Sequence, residues 1–186
     1  MAISNAEISN AVAEYLARYP GEAAPLAEPV QRLRQGGDFT SRHTFPMHVT
    51  VGALLVRSET EVLLIEHRAY GLLLQPGGHV EPTDTTLVEA AVRELSEETG
   101  LDAAAVFPAD PAPAYVEYGR VPARPEKGEP DHYHLDIGFA FTTDRADVGQ
   151  IQEAEVTGAA WYPLTDAERL VGHRIARAVS RPAHAG

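Results

Sequence analysis

Apolar positions along the chain change period several times, and each period predicts an element. Over residues 3–19, Ile8, Val12, Tyr15, Leu16 and Tyr19 recur at the spacing of one helix face, and Pro20-Gly21 ends the run. A second short helix is expected over 27–35, closed by Gly36-Gly37 in a proline-rich stretch. Together they predict an N-terminal helical cap over residues 1–40, not a separate domain. From His48 the texture shortens to "HVTVGALLV" (48–56), "EVLLIEH" (61–67) and "GLLLQ" (71–75), apolar and β-branched runs split by polar turns, which predict strands. Residues 86–99 return to a helix: Val88, Ala91, Val92 and Leu95 follow the helical spacing, Thr85 or Thr86 can cap the start, and Gly100 suits a left-handed end. "AYVEYG" (114–119) and "HYHLDIGFAF" (132–141) then predict two strands across a proline- and charge-rich loop. "TGAAWYPL" (157–164) reads as a last strand, and "TDAERLVGHRIARAV" (165–179) as one or two helices. Strands broken by single helices indicate an α/β sandwich over residues 41–182, with a loose tail at 183–186.

Composition changes this picture mainly by exclusion. The 186 residues include no cysteine, which removes disulfides, thiolate zinc sites and cysteine nucleophiles. A formal charge of −12 argues against a basic groove that tracks phosphates, so no nucleic acid polymer is expected as a partner. A small anionic substrate remains compatible if a metal carries the positive charge. No apolar run approaches the roughly 18–20 residues needed to span a bilayer, and "MAISNAEISNAVAEY" lacks the basic and apolar regions of a signal peptide. The expectation is a cytoplasmic protein with no membrane partner.

Against this background, "QPGGHVEPTDTTLVEAAVRELSEETGL" (75–101) concentrates carboxylates on one short segment. Like charges one turn apart on a helix cost a few tenths of a kcal/mol per pair, so the pattern is mildly destabilising unless a cation offsets it. At about 100° per residue, Glu94, Glu97 and Glu98 span roughly a third of the helix circumference beside the apolar stripe. Hard divalent cations prefer oxygen ligands, and Mg²⁺ typically takes one or two carboxylates plus waters and substrate phosphates. These three glutamates are the candidate metal ligands. Pro76-Gly77-Gly78 is expected to form a tight bend that brings backbone close to the helix or to a ligand. Arg93 can reach back to Asp84 or Glu81 and brace the loop.

The stretch "GGHVEPTDTTLVEAAVRELSEETGL" resembles the signature of the Nudix hydrolase family, G-x5-E-x7-R-E-U-x-E-E-x-G-U with U apolar. Arg93, Glu94, Leu95, Glu97, Glu98, Gly100 and Leu101 match it position by position. The first half departs: counted from Gly78 the expected Glu is Asp84, and eight residues instead of seven separate it from Arg93. The extra residue falls near Thr85 or Thr86, ahead of the helix, so it lengthens the loop without rotating the glutamates. It bears on whether Asp84 braces the loop, a role that Glu89 can share. "VLLIEH" before the signature and "AAWYPLTDAERL" after it also resemble the family, whereas residues 1–40 fall outside the shared core.

The resemblance implies an α/β/α sandwich with a mixed β-sheet, preceded by the N-terminal helical segment. It also implies metal-dependent hydrolysis of the diphosphate linkage in a small nucleoside diphosphate joined to another moiety. On that reading Glu94 and Glu98 hold Mg²⁺ or Mn²⁺, Glu97 is a further ligand or base, Arg93 belongs to the catalytic set, and water attacks phosphorus. Family members differ in where the base sits, and Glu155, with Glu153 nearby, is the candidate from a later loop. The alternative is a catalytically inactive Nudix-like module that binds a nucleotide and regulates, against which three convergent carboxylates argue. The isomerase branch of the fold is disfavoured because it requires a cysteine.

Candidate substrate-binding residues are Gly77, Gly78, His79, Arg42 and His134. His132, His134 and Asp136 alternate along one strand and share a face, which suits phosphate contact or a metal, although spacing fixes no third zinc-type ligand. Tyr115, Tyr118, Tyr133 and Trp161 either stack on a base or fill the core. The apolar stripe of the first helix suggests a homodimer.

Overall fold

The parallel pairing of two eleven-residue strands organises the molecule. The structure, a computed structural model of the chain, describes residues 2–68, 71–145, 148–149, 151 and 156–179. Its strands are β1 (Met47–Arg57), β2 (Glu61–His67), β3 (Leu72–Leu74), β4 (Gly77–His79), β5 (Phe107–Pro108), β6 (Tyr115–Val121), β7 (His132–Thr142) and β8 (Val156–Pro163). β1 runs parallel to β7 from Met47 opposite Tyr133 to Val56 opposite Thr142. The other edge of β1 is shared: β2 pairs with its end at Val56 and Arg57, and β4 pairs antiparallel with Thr50, Val51 and Gly52. β8 extends the sheet beyond β2, and β6 extends it beyond β7, both antiparallel.

Side chains alternate across this sheet and divide the core in two. On one face Val49, Val51, Ala53, Leu55, Leu135 and Ile137 pack with residues of three helices: α1 (Asn5–Arg18), α2 (Ala27–Gln35) and α3 (Leu87–Thr99). On the other, Leu54, Val56, Val62 and Leu64 meet Ala167 of α4 (Leu164–Val171) and Ile175 and Ala178 of a 3-10 turn, His173–Ala178. The second half of β1, residues 53–56, is buried on both faces and reads as a continuous apolar run, whereas its first half alternates, with His48 and Thr50 between Met47, Val49 and Val51. The mixed sheet between two helical layers is the α/β/α sandwich expected from the sequence.

The N-terminal helices belong to the first layer. Ser4 accepts the Glu7 N–H and caps α1, whose Ile8, Val12 and Tyr15 are buried in the same core as the sheet. Arg18 forks onto both oxygens of Asp110 at 2.9–3.0 Å, and Arg177 lies 4.4 Å from the Tyr19 ring while donating to Glu22. The stripe that suggested a dimer therefore closes the core of its own chain, and that motive for self-association is withdrawn. Tyr118 and Tyr133 stack on one another at 4.7 Å, and Trp161 lies beneath Arg57.

α3 forms where its caps predict: Thr86 accepts the Glu89 N–H, and Gly100, at φ 67°, ends the helix in the left-handed region. The stretch before it differs from expectation. Gly77 and Gly78 are not a bend; with His79 they form β4, held against β1. Their glycines answer to close approach instead: a Cβ on Gly77 would lie 2.4 Å from the Val51 carbonyl oxygen, and one on Gly78 would lie 2.6 Å from the Glu94 carboxylate.

Candidate active site

Arg93 ties the loop before α3 to the helix itself. Its Nε and Nη2 donate to the two oxygens of Asp84 at 3.0 and 2.9 Å, Nη2 also reaches the His79 carbonyl at 2.8 Å, and Nη1 donates to Glu94 and Glu97 at 3.1 Å each. Asp84 thus braces the loop despite the extra residue and the shorter side chain, and it also accepts the Glu81 N–H at 2.7 Å. Burial works against its charge, but the Arg93 hydrogen bonds, the Glu81 N–H and the guanidinium charge outweigh it and hold the carboxyl below its ordinary range. Those same Asp84 bonds are the largest influence raising the Arg93 pKa, against the cost of its partial burial. Glu89 takes no part in the brace; it accepts the Thr85 hydroxyl.

The three candidate metal ligands are disposed unequally. Glu98 is 1% exposed, and one of its oxygens accepts the Gly77 N–H at 2.9 Å. Glu94 is 9% exposed and lies against Gly78. Glu97 faces solvent and is steadied by Arg93. Two glutamates therefore grip β4 from the helix side while the third stands at the rim. Glu155 and Glu153 lie outside the described residues.

Gly77, Gly78, His79, Arg42 and His134 all line one cavity of about 540 Å³. Sequence reasoning proposed these five separately; pairing of β4 with β1, and of β1 with β7, brings them together. Arg68, Arg120 and Arg124 join Arg42 in lining this space, beside Glu117, Glu129 and Asp136, so a chain of charge −12 gathers four arginines at one cavity. Arg42 is paired with Glu129 at 3.1 Å and Arg120 with Asp131 at 2.9 Å.

A polar chain that the sequence did not reveal runs along the cavity wall. Arg174 donates to Gln75 at 3.1 Å and to Glu117 at 2.8–2.9 Å, Gln75 donates to the Tyr115 hydroxyl at 2.8 Å, and that hydroxyl donates to Asp136 at 2.9 Å. Thr50 donates to the other Asp136 oxygen at 3.1 Å. Burial raises the Asp136 pKa, with these two hydroxyls opposing it. Asp136 is therefore held by the strand network, and it lines the cavity together with His134, two residues earlier on the same face of β7. Alternation along β7 was the one signal for Asp136; nothing local marked Gln75 or Arg174.

Among known proteins, the model of the NUDIX domain matches residues 46–181. Phosphatase NudJ of Escherichia coli K12 is 52% identical over 61 residues, which is 32% of this chain and 39% of that protein, and Phosphatase NudJ of Shigella flexneri matches equally. The aligned part thus spans about two-fifths of these relatives. The solved structure of a Caenorhabditis elegans Ap4A hydrolase binary complex superposes with a TM-score of 0.55 at 19% identity, covering 69% of this chain and 93% of that one. A MutT protein from Methanosarcina mazei Go1 gives 0.51 at 23% identity, covering 74% and 91%. At these identities the structural likeness speaks for the fold alone.

Proposed function

The chain belongs to the NUDIX family, and from that premise we propose that it hydrolyses a phosphoric anhydride in a small nucleotide-like substrate with the help of a divalent cation. The observation that carries this reading is the double role of β4. On one side its Gly77 N–H holds Glu98 and its Gly78 leaves room for Glu94; at the same time all three of its residues line the arginine-rich cavity. An anionic substrate drawn in by Arg42 and its neighbours would lie against the strand that the carboxylates grip.

The donor set suits Mg²⁺ or Mn²⁺. Arg93 pairs with Asp84, Glu94 and Glu97, while Glu98 and Glu94 lie at the buried face of β4, so carboxylate oxygens are concentrated beside that strand. Glu94 and Glu98 would hold the ion, with Glu97 as a further ligand or base. When bound, such an ion neutralises the diphosphate and polarises a P–O bond. The protein supplies the rest. Arg93, fixed by Asp84, orients Glu94 and Glu97. Water forms a new bond to phosphorus as the anhydride P–O bond breaks, and its proton passes to a carboxylate, for which solvent-facing Glu97 and, later in the sequence, Glu155 are the candidates.

The test is phosphate and pyrophosphate release from nucleoside triphosphates, nucleotide sugars and dinucleoside polyphosphates with Mg²⁺, with Mn²⁺ and with chelator. Release from at least one class that requires the cation supports the reading. Nucleotide binding by calorimetry without release from any class would instead favour a regulatory binding module.

A further inference from the structure

We propose that His48, His79 and His134 form a separate nitrogen-donor metal site in the cavity wall, suited to a borderline divalent ion such as Zn²⁺. Three strands assemble it. His48 on β1 is directly opposite His134 on β7, and His79 on β4 is opposite Thr50, two residues along the same face of β1. One nitrogen from each imidazole lies within 4.8 Å of the others. The ring centroids are separated by 4.7 Å (48 to 134), 5.2 Å (48 to 79) and 5.3 Å (79 to 134). Zinc bonds to nitrogen of about 2.0–2.1 Å place tetrahedral ligands about 3.3–3.4 Å apart, so modest ring rotations would close the set.

The state of His48 points to a ligand. It is 1% exposed, and its Nδ1 lies 3.2 Å from the Thr44 carbonyl oxygen. A carbonyl can only accept, so Nδ1 carries the proton and Nε2 is left with a lone pair. That Nε2 is buried and has no hydrogen-bond partner. A core imidazole placed only for packing would leave this acceptor unsatisfied, at a cost to stability. A metal would satisfy it, and a ring N–H bonded to a backbone carbonyl is the usual support of a metal-bound histidine.

His132 steadies the His134 ring: its Nε2 is 3.3 Å from the His134 Nε2, while its Nδ1 is held by the Pro130 carbonyl at 2.7 Å. Glu129, paired with Arg42, supplies a carboxylate in the same cavity. Because His79 and His134 both line that cavity, a fourth coordination position would open into it, for water or a ligand oxygen.

The test uses the untagged full chain, stripped with chelator, then titrated with Zn²⁺ by calorimetry and with Co²⁺ by visible absorption. Wild type is compared with His48→Gln, with His79→Ala and with the Glu94→Gln/Glu98→Gln double variant. One tight equivalent of Zn²⁺ at the histidines is expected in wild type and is retained in the glutamate variant, with its affinity at least about tenfold weaker in each histidine variant. X-ray absorption on zinc-loaded wild type, which needs no variant to fold, should count three imidazole nitrogens. An oxygen-only shell, no zinc bound by folded wild type, or binding lost in the glutamate variant but kept in both histidine variants would overturn the proposal. None of these readouts depends on hydrolysis.

Discussion

The two adjacent glycines of β4 have different physical reasons, and substitution separates them. A Cβ at Gly77 meets backbone, the Val51 carbonyl oxygen at 2.4 Å and Gly52 Cα at 2.9 Å, which cannot swing aside. Gly77→Ala should cost about 1–3 kcal/mol or more, read by urea denaturation. A Cβ at Gly78 meets the far end of Glu94, which can move. Gly78→Ala should therefore cost less stability but lower hydrolysis at least tenfold, roughly the effect of misplacing a catalytic group. Equal stability losses in the two variants would contradict this distinction. At this scale the acidic pattern of residues 93–98 was legible because helix spacing alone sets which carboxylates lie near one another. The outward turn of Glu97 was not, since it depends on Arg93 reaching both neighbours. The histidine cluster was half legible: alternation placed His132 and His134 together, but His48 joins them through a parallel pairing that no local pattern encodes.

Among the elements, long periodic segments declared themselves and short ones did not. α2 and β2 fall at the expected residues, and α1 and α3 lie within one or two residues of them, because caps, breakers and apolar spacing agree. β4 and β5, three and two residues long, carry no period and exist only because β1 and β7 offer open edges. The turn between β1 and β2 gives an element-scale prediction. Ser58 and Glu59 hold φ of 51° and 56°, the left-handed pair of a tight hairpin, without glycine or asparagine at either position. Glu59→Gly should raise stability by about 0.5–1 kcal/mol and the thermal midpoint by about 1–4 °C. A lower midpoint would contradict that account of the turn. Tyr115 gives a second: its ring fills the space above Gly52 and Gly138, and a Cβ on Gly138 would fall 1.9 Å from it. Gly138→Ala should cost about 3 kcal/mol, read by the same denaturation.

For the whole molecule, the sequence conveyed the layered architecture and the sign of its charge but not where its arginines gather. Arg18 and Asp110 illustrate how distant segments are joined electrostatically. The Arg18 hydrogen bonds, against an opposing cost of burial, hold the Asp110 pKa below its ordinary value. Its contribution to stability is therefore present above about pH 4 and is lost as pH falls through the lowered folded value. Wild type should exceed Asp110→Asn in stability at neutral pH, with the difference closing in acid; a difference that widens in acid would contradict the pairing. The carboxylates beside β4 are proposed to serve hydrolysis of a substrate held in the cavity. The most direct test of that role is cation-dependent turnover by wild type and by Glu98→Gln, which keeps an oxygen to accept the Gly77 N–H, with nucleotide affinity measured in parallel. Turnover by Glu98→Gln is expected to be lower by roughly 10²–10⁴-fold with the fold and nucleotide binding retained; turnover equal to wild type would show that Glu98 takes no part in hydrolysis.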